Sequence, residues 1–253
     1  MNKISYKPVL SCILGCLLLS CLLSPTQASV TMLGTRIIHD GGSRSTDVQL
    51  RNRDNFPYVI TAWFDDGNPE SGPQTPTTAP FIVTPPVFRI QPGAGQVVRV
   101  VFTGNGTLPQ DRESLFWFNF MQVPPANVAD ADDGRKQNGI LVMLRNRVKL
   151  FYRPAGLDGD PQKMLQHLQV SRETRDGRAG ITVASHQPFH VTLTALRSPG
   201  KPGISLTTEK DVVIPPFSRH FFPFSGTVPA GMKSVSITLI DDQGARISEN
   251  FPL

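Results

Sequence analysis

Cysteine is nearly absent from this chain, and where it occurs it lies in one place. All three cysteines, Cys12, Cys16 and Cys21, fall near the start of a sequence of 253 residues. Beyond Cys21 there is no thiol with which to form a disulfide or a cysteine-ligated metal site. The rest of the chain must therefore be stabilised by a packed core alone.

No block of like charge interrupts the sequence. The formal net charge is +5, and it falls to +3 if Lys3 and Lys7 are removed with an N-terminal leader. Proteins that bind nucleic acid usually concentrate Lys and Arg in a basic patch or run. This mild and dispersed charge predicts that nucleic acid is not a partner.

The sequence also lacks a constellation for catalysis or cofactor binding. His186 and His190 are four residues apart, but no acidic residue or third ligand is spaced with them as in a zinc site. Gly93 and Gly95 lack the third glycine of a dinucleotide-binding loop and lead into a β-like run, and no Walker pattern for ATP is present. We expect no enzyme, no metal and no cofactor.

The one extended apolar run stands at the N-terminus. Lys3 and Lys7 precede an apolar stretch over residues 9–23, and the small-residue site Thr26-Gln27-Ala28 follows it. This layout is typical of a secretory signal peptide. We expect residues 1–28 to be removed and the remaining chain to work in the periplasm, without membrane insertion.

Two other interpretations of this leader are less favoured. An uncleaved anchor needs roughly 20 apolar residues, and the run over residues 9–23 is shorter. A lipoprotein would be attached at Cys16 or Cys21, but the residues before them fit a lipid-attachment site poorly.

After residue 28 the sequence breaks into short β-like runs separated by proline- and glycine-rich turns. The clearest runs cover residues 58–64, 97–102 and 115–123, and no convincing amphipathic helix is present. Short strands at intervals of about 8–12 residues favour a β-sandwich or barrel. A linker-like stretch over residues 154–161 divides the pattern. We predict an all-β protein of two tandem immunoglobulin-like sandwiches, residues 29–154 and 155–253.

The most unusual segment runs over residues 139–154. Ile140, Val142 and Leu144 alternate with Leu141 and Met143, so that both faces of its first half are apolar. A strand of about 15 residues exceeds the usual length of roughly 5–6. Long open edges are normally blunted in natural proteins. We interpret this strand as an edge that is left open for a partner.

Three stretches carry a family resemblance. They read TPPVFRIQPG over residues 84–93, LPQDRESLFWFNFMQVPP over residues 108–125 and RVKLFYRP over residues 147–154, and Gly34-Thr35-Arg36 joins them near the start. Together they resemble the periplasmic, PapD-like pilus chaperones of the chaperone–usher pathway. The resemblance implies two sandwiches set at an angle with a cleft between them.

The resemblance also implies a mechanism, in which the chaperone lends an edge strand to a pilin subunit whose own sandwich lacks one. The lent strand would be residues 139–150, with Ile140, Val142 and Leu144 filling the groove of the subunit. Leu141 and Met143 would turn back toward the chaperone's own core.

Two groups of charged residues take roles from the same resemblance. Arg36 and Lys149 would bind the C-terminal carboxylate of the subunit and so fix the register of the lent strand. Glu113, Arg153 and Asp242 would form an ion network that fixes the angle between the sandwiches.

The implied partners are pilin subunits and an outer-membrane usher, and a self-capped homodimer of the free protein stays open. The polar loop over residues 126–138 lacks the cysteine pair that tends to accompany long loops in the family, which favours the short-loop type.

The alternative function is a secreted tandem immunoglobulin-like module that binds carbohydrate or a surface protein. Such a module has no reason to combine Arg36, Lys149 and the apolar alternation.

Overall fold

The computed structural model describes residues 29–104, 108–125, 141–200, 203–209, 211–226 and 231–253. Almost every regular element in these ranges is a strand. In chain order they are β1 (Val30–Met32), β2 (Arg36–Asp40), β3 (Ser45–Asn52), β4 (Tyr58–Asp65), β5 (Phe81–Thr84), β6 (Val87–Ile90), β7 (Gly95–Phe102), β8 (Ser114–Val123), β9 (Leu144–Arg153), β10 (Leu168–Arg175), β11 (Arg178–Ser185), β12 (Val191–Arg197), β13 (Val212–Ile214), β14 (Arg219–Pro223), β15 (Ser234–Ile240) and β16 (Arg246–Pro252), with one 3-10 helix at Pro161–His167.

The strands form two sandwiches. In the first sandwich a sheet of order β1-β3-β7-β5 packs on one of order β2-β9-β8-β4-β6, and in the second a sheet of order β10-β11-β14 packs on one of order β13-β12-β15-β16. Each has its own hydrophobic core. The all-β, two-sandwich prediction is confirmed, whereas the boundary between Pro154 and Ala155 stays a prediction.

The alternation of side chains explains why these segments form strands. Val48 and Leu50 on β3 are buried, whereas Asp47 and Gln49, which precede each of them, are exposed. On β8 the three phenylalanines Phe116, Phe118 and Phe120 all enter the first core. This period of two is that of a sheet with one face packed on a core.

The N-terminal segment contributes one strand to each sheet of the first sandwich. β1 pairs antiparallel with β3, and the chain then crosses to pair β2 parallel with β9. Gly34 lies at this crossing with a φ of 93°. Such a conformation is open to glycine but is rare for other residues. The crossing brings Arg36 to the start of β2, beside β9.

The leader over residues 1–28 lies outside the described residues, as do Ile140 and the loop over residues 126–138. Within the ranges that the structure covers, no helix has the length and apolar character to span a bilayer.

A buried histidine lies in the first core. His39 has none of its surface exposed, and its ring lies 5.2 Å from that of Phe81 and 5.9 Å from that of Tyr152, centroid to centroid. Its Nδ1 atom is 2.9 Å from Thr46 Oγ1. Burial in this aromatic environment lowers the pKa of His39.

The lowered pKa predicts that the first sandwich loses stability in acid. As the pH falls below about 6.5, the unfolded chain binds a proton at His39 that the folded protein still excludes. The contribution of His39 to the free energy of unfolding should therefore be independent of pH above pH ~7.5 and should decrease as the pH falls toward ~5. Melting temperatures should fall less steeply over this range in His39→Phe than in wild type. An equal slope in both proteins would contradict the prediction, and His186→Asn, at an exposed histidine, is the matched control.

Candidate functional site

Strand β9 has a paired neighbour over residues 144–152 on one side, but over a much shorter stretch on the other. The longer neighbour is β8, which pairs antiparallel with β9 from Leu144 opposite Gln122 to Tyr152 opposite Ser114. On the other side β2 reaches only from Lys149 to Arg153. Among the described residues, no strand occupies the β2 side of residues 144–148. Their backbone donors and acceptors on this side form an open edge.

The segment before β9 corrects two of our predictions. The predicted strand over residues 139–154 begins only at Leu144, because the pairing with β8 ends at Gln122 and no described neighbour continues it. Leu141 and Met143 are 50% and 54% exposed, so they do not turn into the core of the chain. Val142 is 61% exposed and Leu144 is 47% exposed. These four adjacent apolar side chains lie in solvent.

The burial pattern of β9 shows which of its residues lie on the inner face of the sheet. Leu150 and Tyr152 are buried in the first core and Val148 packs partly against it. Strand residues two apart share a face, so Leu144 lies on this same inner face. Leu144 and the exposed Val142 before it, here called the apolar row, lie beyond the part of this face that the sandwich covers, and Asn146 separates them from Val148.

The predicted anchor residues lie together where the open edge ends. Arg36 is directly opposite Lys149 in the parallel β2–β9 ladder. The Arg36 guanidinium donates through Nη1 to the carbonyl oxygen of Ile240 in the second sandwich, at 3.1 Å, so the pair lies at the junction of the two sandwiches. In the described part of the chain, the buried Nε of Arg36 has no hydrogen-bond partner.

The electrostatics of this pair favour an anion. Burial, together with the neighbouring charge of Arg36, lowers the pKa of Lys149. Burial also lowers the pKa of Arg36, although Asp242 and Asp241 act in the opposite direction. Two partly buried cations that disfavour each other's charge would both gain from an added carboxylate.

The three predicted network residues are in direct contact across the junction. Arg153 lies 2.7 Å from Glu113 and 2.8 Å from Asp242, measured from guanidinium nitrogen to carboxylate oxygen. The side chain of Glu113 is 2% exposed. Burial opposes the charge of Arg153, but its bonds to Asp242 and Glu113 raise its pKa. The network ties β9 to the second sandwich.

His190 is a member of this cluster that sequence reasoning missed. Its backbone N–H donates to Glu113 Oε2 at 2.8 Å, and its Nδ1 lies 3.2 Å from the same oxygen. The sequence analysis considered His190 only as one half of a possible zinc-binding pair with His186 and argued against such a site. Within the described ranges, no three His, Cys, Asp or Glu side chains form a group that could hold a metal ion.

A two-sandwich fold with an open strand edge has the feature that β-strand addition needs, since an extended peptide can pair with an exposed sheet edge. Residues 29–158 match the family described as "Pili and flagellar-assembly chaperone, PapD N-terminal domain", and residues 163–251 match "Pili assembly chaperone PapD, C-terminal domain". The chain belongs to this family of pilus-assembly chaperones.

Individual relatives agree with this assignment. The chain is 37% identical over 235 residues to the chaperone protein FimB/FhaD of Bordetella pertussis, covering 91% of each chain. It is 34% identical to the probable fimbrial chaperone YadV of Escherichia coli, covering 96% of each. The crystal structure of YadV matches with a TM-score of 0.70 at 31% identity, over 89% of this chain and 100% of the other. The Salmonella enterica SafB chaperone, solved in complex with the SafA pilin, matches with a TM-score of 0.71 at 25% identity, over 91% and 99%.

Proposed function

We propose that this chain captures pilin subunits in the periplasm by lending them the open edge of β9. The observation that carries the proposal is the coincidence of three features on residues 141–149: an unpaired backbone edge, an exposed apolar row and a cationic end. Adding a strand to an exposed sheet edge combines main-chain hydrogen bonds with side-chain specificity.

The position of β2 determines the direction of the captured strand. A strand that fills the open edge lies in line with β2 and must stop where Arg36 faces Lys149. If it runs parallel to β9, its C-terminal carboxylate arrives between the two cations. If it runs antiparallel, a chain that ends there brings its positively charged amino group to them. Coulomb attraction therefore favours the parallel direction.

The cationic pair also fixes the register of the captured strand, which the apolar row alone does not fix. A strand that slides by two residues keeps the same side chains on the same face. A carboxylate held by Arg36 and Lys149 permits only one register. Val142 and Leu144 would then fill the groove of the subunit, and Ile140 would extend the row.

The finer steps of the pathway are part of the same proposal. The complex of SafA with SafB supports a pilin partner, since the folds agree across nearly the whole chain. Residues 1–28 would direct export, an outer-membrane usher would receive the captured subunit, and a second copy of the chain would cover the apolar row in the free protein. The Glu113–Arg153–Asp242 network would hold the two sandwiches at a fixed angle. None of these steps requires catalysis, and within the described ranges we find no feature that favours the carbohydrate-binding alternative.

Replacing Lys149 with alanine tests the anchor. A hydrogen bond to a charged group contributes about 1.5–3 kcal/mol, so the variant should retain roughly 10–100-fold less pilin. The measurement is co-purification from the periplasm with a tagged pilin from the gene cluster that encodes this chain. Lys163→Ala is the matched control, since Lys163 is an exposed lysine next to Asp160. Equal pilin recovery with Lys149→Ala and with wild type would show that the anchor assignment is wrong.

A further inference from the structure

We propose that Asp65, on a strand that is not paired with β9 in the sheet, is the positioning residue that holds the lending edge ready for a subunit. The inference rests on the proposed strand-lending function and adds to it a residue outside the edge and the anchor. Asp65 is the last residue of β4, and β8 separates β4 from β9. Its side chain is nonetheless directed at β9.

The carboxylate of Asp65 is fully buried and bonded on all sides. Arg147 of β9 donates to it twice, from Nη2 to Oδ1 at 2.6 Å and from Nε to Oδ2 at 3.0 Å. Asn119 of β8 donates to Oδ2 at 2.7 Å, and the backbone N–H of Gly67 donates to Oδ1 at 2.9 Å. Burial alone would raise the pKa of Asp65, but the bonds from Arg147 and Asn119 lower it, so the group stays ionised.

A second arginine of the open edge is held by the same assembly. Arg145 donates from Nε and Nη2 to Asn119 Oδ1, at 3.1 Å and 2.8 Å, and from Nη1 to the carbonyl oxygen of Pro69 at 2.7 Å. Its Nη2 also lies 3.7 Å from Asp65. Asn119 therefore connects Asp65 to Arg145, and Pro69 in the loop after β4 supplies a further acceptor for Arg145.

Two tryptophans cover the arginines on the outer face of the sheet. The guanidinium carbon of Arg147 lies 3.8 Å from the centroid of the Trp117 ring, and that of Arg145 lies 5.0 Å from Trp63. Cations over tryptophan faces are attracted by the ring quadrupole. These contacts restrict the two arginines further and shield their bonds to Asp65 from water.

The placement indicates a purpose other than holding β4 in its sheet. β4 is already paired with β8 over residues 59–65, which include Asp65, and with β6 over residues 58–61. The segment that lacks support is residues 144–148, which has a paired strand on one side only and, at Leu144, an uncovered inner face. An unsupported strand end frays readily. Arg145 and Arg147 hold this segment from its outer face, while its inner face stays free for a partner.

A lending edge that is already extended captures a subunit faster than one that must first be ordered. The apparent affinity of a binding site decreases with the fraction of molecules in the competent conformation. In the complex the captured strand supports residues 144–148 on the open side, so the loss of Asp65 should affect the association rate and leave the dissociation rate almost unchanged.

The test compares Asp65→Asn with wild type in two measurements. In the free protein, backbone amide hydrogen exchange of residues 144–148 should accelerate about tenfold, whereas exchange in the second sandwich should not change. Association with denatured pilin from the same gene cluster, diluted into an excess of this chain, should slow about tenfold. Asp47→Asn is the matched control, because Asp47 also pairs with an arginine across strands, at 3.1 Å from Arg99, but on the exposed face of the other sheet.

Each outcome decides the matter. A lower melting temperature with unchanged local exchange and unchanged association would make Asp65 a purely structural residue and overturn the inference. Failure of the wild-type chain to capture pilin would overturn the proposed function itself, which separates the two failures. If Asp65→Asn does not fold, as judged by circular dichroism, Arg147→Gln carries the same test from a partly exposed side chain.

Discussion

Replacing Val142 with aspartate should abolish pilin capture, with a reduction of at least about 100-fold. Val142 lies 61% exposed in the free protein, so the substitution has no core to disturb. In the proposed complex the same side chain enters the apolar groove of the subunit. An unpaired carboxylate in such surroundings costs several kcal/mol, and about 3 kcal/mol already corresponds to more than a 100-fold change in affinity.

The neighbouring residue offers a matched control for this substitution. Leu141 is 50% exposed, and when residues 141–144 become a strand it points to the opposite face from Val142. Leu141→Asp introduces the same charge one residue away and should keep most of the capture activity. Equal losses in both variants, measured by co-purification with the same tagged pilin, would show that the proposed face of the lent strand is wrong.

Replacing Arg153 with alanine should lower the free energy of unfolding by about 3–5 kcal/mol, the range for breaking a buried ion pair on one side. The substitution leaves Glu113, whose side chain is 2% exposed, without its cationic partner, and it also removes the contact with Asp242 across the junction. The backbone N–H of His190 still donates to Glu113, but a backbone N–H carries no charge with which to replace that of Arg153.

Chemical denaturation measures this loss, and Arg99→Ala provides the comparison. Arg99 pairs with Asp47 at 3.1 Å, but both side chains are more than half exposed, so the change should cost less than about 1 kcal/mol. Small-angle scattering should in addition show a wider distribution of interdomain distances in Arg153→Ala. If Arg153→Ala is no less stable than Arg99→Ala, the network contributes nothing to the junction.

Local pattern was sufficient to predict the strands that bury one face. The runs over residues 97–102 and 115–123 depend only on residues near each other in sequence, and β7 and β8 form where these strands were expected. The start of β9 was predicted wrongly for the same reason. Whether Leu141 and Met143 belong to a strand depends on how far β8 extends beside them, and the apolar pattern of residues 139–144 carries no information about that.

The contacts of the site could not be deduced from spacing. Arg36 and Lys149 are far apart in sequence, and only the family resemblance suggested that they meet, as the parallel β2–β9 ladder places them. The family resemblance gave no role to Asp65 or His190. In the sequence, Asp65 merely ends an aromatic run, and His190 merely follows a turn. Their roles depend on the buried partners Arg147 and Glu113, which the fold brings to them.

The most direct test of the strand-lending account is a structure of this chain in complex with its pilin. We predict that the last strand of the pilin runs parallel to β9 along residues 141–148, with its terminal carboxylate within roughly 3 Å of both Arg36 and Lys149. A complex in which that edge stays empty and the pilin binds elsewhere would contradict the account.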